Sequence, residues 1–200
     1  MRFHVGPIPQ DEIPDHSWRP IREPGPWLIQ VIALPIGLGV ALLTLQCWKR
    51  LGLPPSLHFQ HGQAVLFVIG LALSFPLLFL VHELLHAVVH PRCGATPNTL
   101  IGAWPSRMLL YAHYCGLLTR NRFLAVFAMP FLVITVLPLL LALAGVLPPA
   151  ASPVAAWFSS WNAFFACGDY CGMALIFFQV PRSAVVQNFG WRSYWKPAET

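Results

Sequence analysis

The stretch that decides the fold is Gln63–His90, QAVLFVIGLALSFPLLFLVHELLHAVVH, 28 residues whose only formal charge is Glu83. An α-helix needs about 20 apolar residues to cross the hydrocarbon core of a bilayer. The sequence therefore predicts a membrane-spanning helix here. Near the end of that helix, residues 82–86 read HELLH, the pattern His-Glu-x-x-His.

This pattern is typical of a metal site. On a helix, His82 and His86 lie one turn apart on the same face, so their imidazoles can hold one metal ion. Glu83 is the neighbouring residue and can reach a water on that ion. The pattern predicts a zinc hydrolase. The structural alternative is a cluster in which two core histidines and a glutamate satisfy one another without a metal.

Composition places the chain in a membrane. The 200 residues are 56% hydrophobic and 10% charged, whereas a typical globular protein has about 25% charged residues. The net charge of +5 comes from basic residues that are spread out and flank apolar segments. That pattern indicates membrane topology and predicts no nucleic-acid partner. The five cysteines are an odd number and show no disulfide framework.

The apolar segments predict an all-α polytopic membrane protein with about four transmembrane helices. The predicted spans are Trp27–Cys47, Gln63–His90, Phe123–Leu147 and Pro153–Val180. Residues 91–122 hold four arginines and several turn residues, which predict a small β-like hairpin or re-entrant segment between the second and third spans. Residues 1–26 are Pro-rich and predict an irregular arm with little core of its own. Residues 27–180 then form the membrane-embedded domain, and residues 181–200 form a basic, aromatic tail.

Four spans place both termini on the same side of the membrane. Ten of the twelve Lys and Arg residues fall on that side, and Lys49 and Arg50 fall on the other. The positive-inside rule therefore predicts a multi-pass protein of the cell (inner) membrane with cytoplasmic termini. The HELLH motif then lies at the cytoplasmic end of the second span.

The scarcity of acidic residues predicts the third metal ligand. Between residues 24 and 198 the chain has two acids, Glu83 and Asp169, both within apolar spans. A charge at the centre of a membrane helix costs about 2.5–3.5 kcal/mol on insertion scales, so such a group needs a partner. Zn²⁺ held by His82, His86 and Asp169 supplies that partner and keeps a fourth position for water. Glu83 would take a proton from this water and return it to the leaving amine.

Three further polar side chains are candidates for the site. His90 lies two turns beyond His82 and is a rival third ligand, or an interfacial histidine at the membrane boundary. Two roles are open for His113: it binds substrate or stabilises an oxyanion, or it only packs at the membrane interface. Asn162, two turns before Asp169, hydrogen-bonds either substrate or a metal ligand.

With these residues in place, the chain resembles the small zincin peptidases of bacterial membranes, relatives of the site-2 proteases. The resemblance covers residues 63–195 and rests on the HELLH motif, on Phe127-Ala-Met-Pro130-Phe and on Asn162…Gly168-Asp169. It implies His82, His86 and Asp169 as zinc ligands and Glu83 as the catalytic acid and base. It also implies a helical membrane core whose hairpin docks an extended substrate. The two prolines of the site-2 pattern Asn-Pro-x-Pro are missing after Asn162.

The sequence therefore predicts a membrane-embedded zinc metallopeptidase that hydrolyses a membrane-associated protein or peptide. One alternative is a non-catalytic membrane binding or regulatory protein with a structural metal site. Against it, Glu83 stands beside the ligands, and a purely structural site has no use for that carboxylate. Another alternative is a zinc hydrolase of a non-peptide amide or a lipid.

Overall fold

A computed structural model describes residues 1–9, 15–52, 62–107 and 109–198. The described part of the chain is mostly helical, and three helical segments in it are long and apolar enough to cross a membrane. A bent pair of helices makes a fourth if it is counted as one span. The α-helices are α1 Pro26–Arg50, α2 Gln63–Val89, α3 Arg120–Pro130, α4 Leu137–Leu143, α5 Ser152–Phe165 and α6 Cys167–Gln179.

The first two helices follow the predicted spans closely. α1 extends the predicted Trp27–Cys47 by one residue at its start and three at its end. α2 ends at Val89, and the backbone of His90 is extended because a residue before proline avoids the helical conformation. Both helices expose large apolar side chains, as at Leu43 on α1, which is 64% accessible, and Leu66 on α2, which is 72% accessible. Such surfaces suit a lipid environment.

The third span is a continuous helix with an irregular middle. It runs over Arg120–Leu143, rather than the predicted Phe123–Leu147. A π-helix, Phe131–Val136, joins α3 to α4, and it lies between two prolines, Pro130 and Pro138. Each proline lacks an N–H, so the carbonyl four residues before it loses its helical partner.

The fourth span differs from the single helix predicted over Pro153–Val180. α5 and α6 bend by 50° at a one-residue break, Ala166. At the break the Tyr170 hydroxyl donates to the carbonyl oxygen of Ala163 at 3.0 Å. Side-chain hydrogen bonding thus satisfies a carbonyl close to the end of α5, where the regular helix stops.

Seven short strands among the described residues go beyond the all-α prediction, which included one β-like hairpin. β1 Arg2–Val5, β3 Thr99–Trp104 and β4 Leu109–Tyr114 form one sheet in the order β1–β3–β4, and β3–β4 is the hairpin predicted within residues 91–122. A second sheet has the order β2–β7–β6–β5. Its strands are β2 Arg19–Pro20, β5 Leu118–Thr119, β6 Ala184–Phe189 and β7 Arg192–Pro197.

The described parts of both terminal segments therefore contain paired strands. The predicted irregular arm, residues 1–26, pairs β1 in parallel with β3 and β2 antiparallel with β7. The tail forms the β6–β7 hairpin. Ile21 of the arm joins a buried cluster with Val180 and Val186. Long-range pairing supplies the core that the local sequence of the arm lacks.

Candidate metal centre

The two motif histidines face each other on α2. Both are buried, and their Nε2 atoms are 3.1 Å apart. Asp169, in the first turn of α6, places its carboxylate 3.2 Å from Nε2 of His82 and 3.4 Å from Nε2 of His86. The three ligand atoms lie within 4.8 Å of one another. The bend at Ala166 separates Asp169 from α5 and sets it in this position.

A buried amide orients the first histidine. Nδ1 of His82 lies 2.9 Å from Oδ1 of Asn162. The Asn162 amide nitrogen donates to the Pro130 carbonyl at 3.2 Å and to Oγ1 of Thr135 at 3.0 Å. Because the nitrogen side is used in this way, the oxygen side faces His82, and Nδ1 carries the proton. Asn162 is fully buried on α5 and contacts a ligand, one of its two predicted roles.

The π-helix supports this amide. The Thr135 hydroxyl donates to the carbonyl of Ser159 at 3.1 Å, and the Ser159 hydroxyl contacts the carbonyl of Ile134 at 3.2 Å. Ile134 precedes Pro138 by four residues, so its carbonyl has no helical donor at that position. The irregular third span thus offers polar groups that hold α5, and with it Asn162.

The second histidine is oriented by a backbone carbonyl. Nδ1 of His86 donates to the Val126 oxygen on α3 at 2.7 Å. Val126 precedes Pro130 by four residues, so this carbonyl also lacks its usual helical donor. Both histidines therefore carry their proton on Nδ1 and turn Nε2 toward Asp169.

The donor set fits a Zn²⁺ ion. Two Nε2 lone pairs and a carboxylate converge, and Oδ2 of Asp169 is buried without a hydrogen-bond donor among the described residues. Three acceptors this close repel one another unless a cation lies between them. Their separations of 3.1–3.4 Å match the edge of about 3.3 Å of a tetrahedral zinc site with bonds of about 2.0–2.1 Å.

Glu83 lies beside this group in a cleft. The cleft has a volume of about 340 Å³ and is lined by His82, Glu83 and Asp169 together with many apolar side chains. The backbone N–H of Ala112, on β4, faces the Glu83 carboxylate. β4 is an edge strand of its sheet among the described residues, and most of its residues line the cleft.

The other two predicted candidates lie outside the ligand group. His90 is buried, lines the cleft and packs on Tyr114 with ring centroids 5.2 Å apart. Among the described residues the metal-ligand group holds His82, His86 and Asp169 without it. His113 is buried on β4, where its neighbours Ala112 and Tyr114 line the cleft and it does not.

Some cleft residues were not predicted. Ile8 of the arm and Asn188 and Trp191 of the C-terminal hairpin also line it. Their position depends on how two sheets meet. One local signal could have predicted the C-terminal hairpin. The Gly190-Trp191 pair stands between two segments of alternating polarity, which is typical of a two-residue hairpin turn.

The fold and the site define a class: a mostly helical protein with apolar helices of membrane-spanning length and a buried His-His-Asp metal-ligand group. A family model described as "Putative zincin peptidase" matches residues 75–185, and the chain belongs to that family. Membership indicates a metallopeptidase that uses Zn²⁺, and the His82, His86 and Asp169 group can hold the ion. No curated protein and no solved structure matches the chain.

Proposed function

We propose that this protein is a membrane-embedded zinc metallopeptidase, similar to site-2 proteases, that hydrolyses a peptide bond in a membrane-associated protein or peptide. One observation carries the proposal. Glu83 stands beside three converging candidate metal ligands in a cleft that is also lined by β4, an edge strand of its sheet among the described residues. A structural metal site needs the ligands alone, and neither the carboxylate nor the cleft.

The residues have distinct roles in this mechanism. Zn²⁺ held by His82, His86 and Asp169 would supply an activated water and polarise the substrate carbonyl. Glu83 accepts the proton of that water on its carboxylate and passes it to the amine nitrogen as the peptide bond breaks. The apolar cleft walls limit bulk water around this transfer.

The outer edge of β4 is suited to hold the substrate. A peptide bond within a membrane helix is hidden by the hydrogen bonding of that helix. An extended peptide added to β4 exchanges those bonds for bonds to the strand and exposes its carbonyl groups. The Ala112 N–H, on the same strand, faces the Glu83 carboxylate, which would lie beside such a peptide.

The orientation in the membrane belongs to the same proposal. The ten basic residues on the side of both termini favour the cytoplasmic face of the cell membrane for them. His82 and His86 lie near the end of α2, which would place the metal group near that face. Water and unwound substrate can reach such a depth.

The decisive experiment compares the full chain in detergent with Glu83→Gln and Asp169→Ala. Zinc content and cleavage of apolar transmembrane peptides are measured on each, with Asp15→Asn, an exposed acid outside the cleft lining, as the control. Glu83→Gln is expected to retain zinc and lose at least about 100-fold of its activity, and Asp169→Ala to lose most of its zinc. A wild type without stoichiometric zinc overturns the proposal, as does a fully active Glu83→Gln.

A further inference from the structure

The C-terminal hairpin supplies a wall of the cleft that the metal chemistry does not use. Asn188, near the end of β6, and Trp191, in the following turn, both line the cleft. Leu109, Leu110 and Tyr111 of the edge strand β4 line the same cleft. Two strands from different sheets thus flank one cleft.

Asn188 presents an unused acceptor there. Ala184, Val186 and Asn188 alternate along β6 and share one face. The first two are 2% and 0% exposed within the buried cluster, so Asn188 continues an apolar face into the cleft. Its Oδ1 is buried and receives no hydrogen bond from the described residues. A buried acceptor without a donor is costly, and a backbone N–H of a bound peptide would satisfy it.

Trp191 is held in place by its turn. Phe189 pairs with Arg192 in the hairpin, so Gly190 and Trp191 form a two-residue turn. Gly190 has φ 62°, as the first position of a type II′ turn requires. Phe189 is anchored by ring contacts with Trp18 at 5.5 Å and Tyr194 at 5.3 Å. A large aromatic side chain that is 48% exposed on so fixed a turn is suited to contact a ligand.

We propose that the β6–β7 hairpin is the second wall of a peptide subsite, opposite β4. Asn188 accepts a backbone N–H of the extended substrate, and Trp191 packs on one of its apolar side chains. This inference rests on the proposed function and names the chemistry of its substrate, an extended peptide with an apolar residue near the cleaved bond. A compact lipid or a small amide has no repeating N–H to offer at Asn188.

Two hydroxamates test the subsite without knowledge of the natural substrate. Acetohydroxamate offers the metal-binding group alone, and N-acetyl-leucine hydroxamate adds a backbone N–H and an apolar side chain. The dissociation constants of both are measured on the zinc-loaded full chain in detergent, with zinc content recorded for every variant. Wild type is expected to bind the leucine compound more tightly.

Asn188→Ala and Trp191→Ala are each expected to weaken binding of the leucine compound by about three- to tenfold. Their zinc content and their binding of acetohydroxamate should stay at the wild-type level. The matched controls are Asn121→Ala and Trp27→Ala, since both of those side chains lie outside the cleft lining. Because Trp191 is half exposed, Trp191→Ala is expected to fold. Its affinity for the leucine compound therefore tests the subsite even if Asn188→Ala does not fold.

The outcomes separate the two proposals. The subsite is wrong if wild type holds zinc but binds both hydroxamates equally. It is also wrong if both variants bind the leucine compound as tightly as wild type does. In either case the metallopeptidase proposal stands. If wild type holds no zinc, the proposed function fails first. Loss of acetohydroxamate binding in the variants would show damage to the metal centre and also overturn the subsite.

Discussion

His86 donates from Nδ1 to the backbone oxygen of Val126 at 2.7 Å, and that oxygen is available because Pro130 has no N–H to offer it. A proline in the neighbouring helix thus supports a metal ligand that it does not touch. The partner of the second imidazole nitrogen fixes the orientation and basicity of a metal-bound histidine. Pro130 is therefore part of the metal centre through Val126.

Pro130→Ala is expected to weaken zinc binding. The new N–H at position 130 would compete with His86 for the Val126 oxygen, and the loss of such outer partners costs about tenfold or more in metal affinity. Zinc affinity is measured by chelator competition on the purified chain. Pro35→Ala is the control, since Pro35 lies inside α1 and its substitution also adds a helical N–H. Equal zinc affinity in the two variants would contradict the role of Pro130.

Asn162→Ala is expected to lower zinc affinity by about 10- to 100-fold. His82 would lose the acceptor of its Nδ1 proton, and its ring would no longer be held toward Asp169. Thr135→Val removes the hydroxyl that accepts from the Asn162 amide and keeps the shape of the side chain, so a smaller loss is expected there. The same chelator competition ranks the three proteins. An Asn162→Ala protein with wild-type affinity would show that His82 needs no such partner.

Local patterns in the sequence predicted the candidate metal ligands better than they predicted the architecture. The spacing of His82 and His86 places them on one helical face, and this prediction needs only helix geometry. The scarcity of acidic residues singles out Asp169, and this prediction needs only the cost of a buried charge. The break at Ala166 has no such signal, because no proline or glycine stands at that position. It arises where α5 meets its neighbours.

Local patterns also could not predict how most of the strands pair. Arg2 pairs with Leu100 and Arg19 with Trp195, and pairing across such sequence distances leaves no mark on the Pro-rich arm. The roles of Pro130 and Asn188 likewise depend on elements that meet only in the folded chain. The β3–β4 hairpin was predicted because its two strands are adjacent in the sequence and separated by turn residues.

Gly37→Ala is expected to destabilise the packing of α1 on α5. A Cβ atom at Gly37 would lie 2.5 Å from the backbone oxygen of Phe164 and 2.7 Å from Cβ of Cys167. A backbone atom cannot yield as a side chain does, and overpacking typically costs about 1–3 kcal/mol. Thermal unfolding in detergent measures the effect.

Gly39→Ala is the matched control for this prediction, because nothing lies within 4 Å of a Cβ atom at that position of the same helix. It should be neutral or slightly stabilising, since alanine favours a helix over glycine by about 1 kcal/mol. Equal stability of the two variants would mean that α1 does not pack on α5 at Gly37.

Glu23 is expected to make stability depend on pH. Burial raises the pKa of this carboxyl above its usual value, although the Ser193 N–H donates to it at 3.2 Å. The folded state therefore favours the protonated form. The stability from this group is complete below the ordinary glutamate pKa and is lost as the pH rises through the higher folded pKa. Glu23→Gln, which keeps an acceptor for Ser193, should remove that loss.

Thermal unfolding of wild type and Glu23→Gln in detergent at pH 4 and pH 8 checks the sign. The variant should exceed wild type at pH 8, and the difference should shrink at pH 4. Asp15→Asn should behave in the opposite sense, because hydrogen bonds from Ser17 lower the pKa of Asp15 and its ionised form stabilises the fold. If Glu23→Gln is less stable than wild type at pH 8, the carboxylate has a stabilising partner and the buried contact between arm and hairpin must be revised.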